Sequence, residues 1–258
     1  MTKSLGHRSG EATPGQRAAP RVSVVIPALN EAPSISGVVH DLRRQGSVPL
    51  HSIIVVDNGS TDGTGTLARE AGASVVREGR RGYGYACRAG VLAAGEAEVI
   101  LLLDGDAADD PEDLSRVLGP LLGDEADLVI GARYTRERGS MTLQQVLGNG
   151  LAVCLMRLLY GVRATDLGPF RAIRRDRLLA LGMREMGYGW SVEMMVKAAR
   201  AGYRYREVPV VYRRRIGVSK VGGTIKGSLL AGYSILSTVF RHARWTPEGA
   251  GGATAAVR

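Results

Sequence analysis

Val99-Ile100-Leu101-Leu102-Leu103-Asp104-Gly105-Asp106 sets five consecutive apolar residues directly against two carboxylates on either side of a glycine. An unbroken apolar run of this length, closed by turn-forming residues, is the pattern of a strand buried on both faces. Such strands belong to parallel sheets covered by helices, and ligands gather beyond their carboxyl ends. The two aspartates therefore stand where a ligand would be met. With a flexible glycine between them, both carboxylates can turn toward one hard cation, Mg2+ or Mn2+, and through it toward a diphosphate. Alone, the same three residues are an ordinary turn; the strand in front of them favours the ligand.

Working outward, the same alternation repeats. A short β-branched run over 22–26 ends at Pro27, and Ser34 is placed to cap a helix over 34–45. A second buried strand over 53–56 is stopped by Asp57-Asn58-Gly59-Ser60, and a helix starting at Thr61 or Asp62 ends before Gly72. A strand over 74–76, helices over 83–94 and 111–122, and a strand over 128–130 complete the regular half. Continuous apolar strands alternating with helices predict an α/β fold with a mostly parallel sheet flanked by helices. Asn30-Glu31, Asp57 and Asp104-Asp106 each follow a strand, so such a sheet gathers them along one edge. The later half reads as a helix over 143–159, a loop and short strand over 165–174, a helix over 192–201, a strand over 205–212 and an amphipathic helix over 221–242. The expected division is a disordered leader over 1–20, one α/β domain over 21–225, a C-terminal amphipathic helix over 226–245 and a disordered tail over 246–258.

Bulk composition narrows the function classes. The chain has 258 residues and 45% hydrophobic residues, enough for a full core. Only 5% are aromatic, which argues against a carbohydrate-binding module or a single-strand nucleic-acid platform built on stacked rings. A net charge of +9 favours acidic partners. The cations cluster at Arg80-Arg81, in 171–177 and at Arg213-Arg214-Arg215, while carboxylates concentrate over 104–113. Basic loops around one acidic loop suit a phosphate substrate held with a metal, and no nucleic-acid partner is expected. Cys87 and Cys154 have neither zinc-ligand spacing nor a disulfide framework, so a reducing cytoplasm is expected. The apolar run over 229–240 is interrupted by Gly232, Ser234, Ser237 and Thr238 and is too short for a hydrocarbon core of roughly 30 Å.

Three further segments carry polar chemistry. Asp57 can accept hydrogen bonds from a base or ribose, whereas Asp62, at a helix start, reads as structural. Arg80-Arg81-Gly82-Tyr83-Gly84 can hold phosphate through backbone N–H groups and a guanidinium, or be an ordinary loop. The segment over 213–220 carries several cations that either close over a phosphate or remain a solvated loop.

The run Val24-Val25-Ile26-Pro27-Ala28-Leu29-Asn30-Glu31, then Val55-Val56-Asp57-Asn58-Gly59-Ser60-Thr61-Asp62-Gly63-Thr64, then Asp104-Gly105-Asp106 resembles family 2 inverting glycosyltransferases of the Rossmann-like GT-A fold. More narrowly it resembles the dolichyl-phosphate mannose and glucose synthases. That match rests on Arg80-Arg81-Gly82-Tyr83-Gly84-Tyr85-Ala86, on Asp166-Leu167-Gly168-Pro169-Phe170-Arg171, and on Arg215 with Gly217-Val218-Ser219-Lys220. The resemblance implies that Pro27, Ala28, Asn30, Glu31 and Asp57 line a nucleotide pocket, with Arg80, Gly82 and Asp104 adding to it. It implies that Asp104 and Asp106 hold metal and diphosphate, and that Arg215 and Lys220 meet phosphates. Two departures stand out. Asn58 replaces the second Asp usual after strand two, and Ala108 stands where lipid-phosphate mannosyltransferases tend to carry a polar residue.

The resemblance implies transfer of a hexose from a UDP-glucose- or GDP-mannose-type donor, by direct displacement with inversion. A polyprenyl phosphate acceptor is already an anionic nucleophile, whereas a hydroxyl of a small metabolite or cell-envelope precursor needs a base. Asp166 and Glu193 are the candidate bases, and Glu193 reads equally as a structural acid at a helix end. The late amphipathic helix, flanked by Lys226, Arg241 and Arg244, suits peripheral contact with anionic lipid at the inner face of the cell membrane. A non-catalytic sugar-nucleotide binder is the reading from another class, against which the intact Asp104 and Asp106 argue.

Overall fold

The computed structural model describes residues 19–217 and 225–247. Residues 1–18 of the expected leader, Lys220, and the expected tail from 248 onward lie outside the described residues.

Seven strands form one sheet: β1 (Val22–Ala28), β2 (Leu50–Asp57), β3 (Ser74–Arg77), β4 (Val99–Leu102), β5 (Leu128–Arg136), β6 (Arg171–Arg174) and β7 (Tyr205–Tyr212). Their order is β3-β2-β1-β4-β6-β5-β7. β1 pairs in parallel with β2 and β4, β2 with β3, and β5 with β7. β6 alone is reversed, antiparallel to both β4 and β5. The helices are α1 (Ile35–Arg44), α2 (Thr64–Glu70), α3 (Tyr83–Ala93), α4 (Leu114–Leu122), α5 (Leu143–Tyr160), α6 (Arg175–Ala180), α7 (Trp190–Arg200) and α8 (Ile225–Arg241).

Because side chains alternate along a strand, each central strand feeds two cores. Val24 and Ile26 of β1 join Ile35, Val39 and Leu42 of α1 and Leu114 and Leu118 of α4 on one face. Val25 joins Val91 of α3, Met156 of α5, Trp190 and Met194 of α7 and Val239 of α8 on the other. Both faces are dry, which is why these strands read as continuous apolar runs.

Several boundaries differ from the sequence reading, each for a local reason. α2 starts at Thr64, because Gly63 takes a left-handed φ of 86° and the Asp62 carboxylate is occupied by the Ala32 and Thr64 N–H groups. A single 3-10 turn, Pro111–Asp113, precedes α4, with Asp110 accepting from the Glu112 N–H. β5 runs on to Arg136 because β7 pairs with it along its whole length. The short α6 had no periodicity by which to be found. The direction of β6 depends on its neighbours and not on its own four residues.

This topology positions the site. β2 lies on one side of β1 and β4 on the other, so the crevice beyond their carboxyl ends opens at the switch point of the sheet. Ala28 pairs with Asp57 at that edge, and Asp104 lies two residues past the end of β4.

Candidate active site

The carboxylate turn after β4 is compact. Asp106 is almost fully buried, and its Oδ1 accepts the Ala108 N–H at 3.0 Å. The Asp104 N–H reaches back to Asp109 Oδ2 at 3.5 Å, and Tyr83 Oη donates to Asp104 Oδ1 at 3.4 Å. Burial, with the nearby Asp106 charge, pushes the Asp104 carboxyl up to about 7. Burial and the same two neighbours push Asp109 well above the carboxylate range. Its Oδ1 has no hydrogen-bond partner among the described residues. One cation does approach: Arg215 Nη2 lies 2.7 Å from Asp106 Oδ2.

These features fit a divalent cation. Carboxylate oxygens are the hard ligands that Mg2+ and Mn2+ take, and Asp104 and Asp106 bring two such groups to one turn. Among the described residues no group of three or more His, Cys, Asp or Glu is arranged to hold a metal. A cation at this turn would thus draw Asp104 and Asp106 from the chain and its other ligands from water and a bound diphosphate.

The edge expected to border a nucleotide is assembled from the loops after β1 and β2. Asn30 has a positive φ of 53°, its N–H donates to Ser60 Oγ at 3.0 Å, and its Oδ1 accepts the Thr61 N–H at 2.8 Å. The Glu31 N–H donates to Thr64 Oγ1 at 2.9 Å. Asp57 Oδ1 accepts the Ser60 N–H at 2.8 Å. Pro27, Ala28, Asn30, Glu31 and Asp57 are thereby gathered along one edge. Pro27 and Ala28 are buried, so any ligand contact from them runs through backbone.

The basic loop before α3 is built otherwise than expected. Asn58 is buried, donates its Nδ2 to the Glu78 and Arg80 carbonyls at 3.0 and 2.7 Å, and accepts the Gly82 N–H at 2.9 Å. The Gly84 N–H is bonded to the Met186 carbonyl at 3.0 Å. The Gly82 and Gly84 amides are therefore satisfied inside the protein, which favours the ordinary-loop reading of this segment over a phosphate cradle. A Cβ at either position would run into the backbone of Glu185 and Met186, so close packing accounts for both glycines. Arg80 forms a fork with Glu78, at 2.7 and 3.0 Å, and lies over the Tyr85 ring.

The two candidate bases are both held by internal partners. Both oxygens of the buried Asp166 are held by the Arg133 fork, at 2.6 and 2.7 Å, and the Arg133 N–H adds a third bond at 2.9 Å. Burial opposes ionisation of Asp166, but these bonds outweigh it and hold the carboxyl below the usual range, so it is a poor proton acceptor. Glu193 is fully buried, pairs with Lys197 at 2.7 Å, and accepts the N–H groups of Arg184 and Glu185. It is a structural acid that secures the chain entering α7. Trp190 is buried in the core, whereas Tyr188 is exposed and lines a cleft.

That cleft, of ≈ 300 Å³, joins Asp104, Arg215 and Tyr83 to two residues the sequence reading missed, Arg133 and Tyr212. Arg133 stacks 5.0 Å from the Tyr212 ring. A signal for Arg133 existed: it is a cation within a strand whose preceding residues are all apolar or glycine. Its value depended on knowing that β5 extends that far. From the cleft floor the walls continue along α5, through Gln144 and Asn149, and along α8, through Ile235. The buried Arg171 shapes the rim by donating to the Leu167 and Ser191 carbonyls at 3.1 Å each.

Known proteins share this architecture. The sequence profile of Glycosyl transferase family 2 matches residues 23–181. The chain is 39% identical over 214 residues to an uncharacterized glycosyltransferase of Mycobacterium tuberculosis, covering 81% of this chain and 94% of the relative. It is 33% identical over 223 residues to the undecaprenyl-phosphate mannosyltransferase of Micrococcus luteus, covering 80% of this chain and 90% of that one. Glucosyl-3-phosphoglycerate synthase from Mycobacterium tuberculosis, solved in complex with Mg2+ and uridine-diphosphate, superposes with a TM-score of 0.70 at 25% identity, over 90% of this chain and 85% of that chain. From its profile match, its relatives and its sheet, the chain belongs to glycosyl transferase family 2, in the dolichyl-phosphate mannose and glucose synthase-like branch of the GT-A fold.

Proposed function

We propose that this glycosyltransferase moves a hexose, with inversion, from a UDP-glucose- or GDP-mannose-type donor to a polyprenyl phosphate, with Mg2+ or Mn2+ held by Asp104 and Asp106. The observation that carries the reading is the cleft, which links the carboxylate turn and the cations Arg133 and Arg215 to walls formed by α5 and α8. A phosphate headgroup suits the cations, and an apolar chain suits Met141, Leu167, Pro169 and Ile235, which line the same cleft. The lack of a competent base at Asp166 or Glu193 points the same way, since an ionised phosphate needs none. The acceptor phosphate oxygen forms the bond to the anomeric carbon, the bond from that carbon to the diphosphate breaks, and its electron pair leaves on the diphosphate. A divalent cation held by Asp104 and Asp106 would supply neutralisation of the charge that builds on that leaving group. Asn30, Glu31 and Asp57 border the nucleotide, and Arg215, with Lys220, holds phosphate.

The outer face of α5 supports peripheral contact with a membrane. Of its eighteen residues only Ala152 and Met156 are buried, and Leu143, Leu147, Leu151 and Leu158 face outward. Tyr233 and Phe240 of α8 are exposed too, with Arg157 and Arg241 nearby in sequence. Exposed leucines flanked by arginines suit the anionic cytoplasmic leaflet. Among the described residues no helix is long and apolar enough to cross a membrane.

A second reading, a small phosphorylated hydroxyl acceptor, is favoured by the likeness to glucosyl-3-phosphoglycerate synthase. One assay separates the two. UDP-glucose and GDP-mannose, each radiolabelled, are offered with undecaprenyl phosphate in vesicles or with 3-phosphoglycerate, and label is counted in organic and aqueous phases. Label in the organic phase supports the lipid acceptor, and label transferred only to 3-phosphoglycerate overturns it.

A further inference from the structure

The segment after β7 lies across the carboxylate turn. Two main-chain hydrogen bonds fasten it: Arg213 N–H to the Ala108 carbonyl at 2.8 Å, which is part of an antiparallel bridge between Asp109 and Tyr212, and Ile216 N–H to the Asp106 carbonyl at 2.8 Å. On this strap Arg215 puts its guanidinium 2.7 Å from Asp106 Oδ2 and also bonds the Tyr212 side chain. The ion pair is mostly shielded from water, so each partner would be costly to leave alone. The guanidinium occupies Oδ2 and repels a dication brought to the same carboxylate, so the two cations compete for Asp106.

We propose that Arg215 is an internal counter-ion that latches the metal site, a role that rests on the metal-and-donor reading above. Arg215 neutralises Asp106 while no divalent cation is bound and gives up that oxygen when one arrives. With metal alone, the freed guanidinium has no new anion and the exchange is uphill. With a nucleoside diphosphate present, the guanidinium moves onto phosphate and the exchange costs little. The main-chain links hold the strap in place, so only the side chain has to swing. Metal and nucleotide therefore bind synergistically, and Arg215 is the source of the coupling.

The test is Mn2+ binding, followed by the electron paramagnetic resonance of the free ion, with and without UDP or GDP. Wild type is compared with Arg215→Ala and Arg213→Ala. Arg213 pairs with Asp110 on the same strap, so its loss removes an equal charge nearby without touching Asp106. Without nucleotide, Arg215→Ala binds Mn2+ on the order of tenfold tighter than wild type, the scale of one charge-assisted bond, and Arg213→Ala changes little. With nucleotide the advantage of Arg215→Ala disappears. An equal gain in Arg213→Ala, or no gain in Arg215→Ala, overturns the latch and leaves the metal site standing. Wild type that takes up no Mn2+ even with nucleotide overturns the metal site itself and the latch with it.

Discussion

Arg133 and Asp166 meet through two parallel hydrogen bonds, Nε to Oδ2 at 2.7 Å and Nη2 to Oδ1 at 2.6 Å, with side chains only 11% and 2% exposed. The pair fixes a cation in the wall of the cleft and ties the loop before β6 to the end of β5. Removing one partner of such a pair leaves the other buried and uncompensated.

Asp166→Asn is therefore expected to lower stability by about 3 kcal/mol near neutral pH. The pH dependence has a fixed sign. Asp166 is held below its ordinary value in the folded state, so its stabilisation is present above about pH 4 and fades as pH falls through the lower folded value. Urea unfolding of wild type and variant near pH 7 and near pH 3 checks this. A stability difference that stays constant between the two would refute it.

Asp104 has the opposite sign. Its carboxyl titrates near 7 in the folded protein against about 4 unfolded, so between those values the native state holds a proton the unfolded chain has lost. This group's contribution to metal-free stability falls as pH rises through that window. Asp104→Asn, without metal, is expected to melt several degrees above wild type near pH 8 and at about the same temperature near pH 4. Thermal melts in a chelating buffer provide the check.

Glu193→Gln separates a structural acid from a base. The substitution leaves Lys197 buried without its counter-ion, and a loss of roughly 3 kcal/mol follows. Turnover of the folded fraction should stay within about threefold of wild type, because a general base would be worth on the order of a hundredfold or more. A kcat that collapses while stability is unchanged would restore the base.

Asn58→Asp tests why an amide stands where an acid is usual in the resembling family. A carboxylate cannot donate to the Glu78 and Arg80 carbonyls, and it would point its own lone pairs at them. Expected are a loss of about 1–3 kcal/mol and faster tryptic cleavage at Arg80 and Arg81. Unchanged cleavage would show that the loop is held by something else.

Leu147→Glu with Leu158→Glu addresses the outer face of α5. Both leucines are exposed, so the fold should keep its melting temperature. Sedimentation with anionic vesicles should fall several-fold, since buried apolar area drives interfacial binding. Equal sedimentation of variant and wild type would remove α5 from any membrane contact.

Much of this was legible along the chain. Val99 to Leu103 announced a strand dry on both faces, and Asp104-Gly105-Asp106 announced the turn beyond it, because a buried strand and its terminating turn are local events. The loops carrying Asn30, Glu31 and Asp57 were placed at the same edge by the alternation of strands and helices alone. The role of Gly82 and Gly84 stayed open in sequence, since a glycine that accommodates a neighbouring backbone looks the same there as one that cradles a ligand. Arg133 went unnoticed because the end of β5 is defined by its partner β7 and not by its own residues.

Along the chain alone, periodicity and short-range turn chemistry set the order of most elements and the carboxylate turn, and the motifs carried the resemblance to the family. Tertiary structure alone decided which charges work and which are spent. Asp166 is thirty-three residues from Arg133, and Asp106 meets Arg215 only across the folded sheet edge. The spacing of four between Glu193 and Lys197 suits a solvent-exposed pair just as well; their complete burial came from the packing of α7. A carboxylate's chemistry is set by its partner and its distance from water, and both are properties of the closed fold.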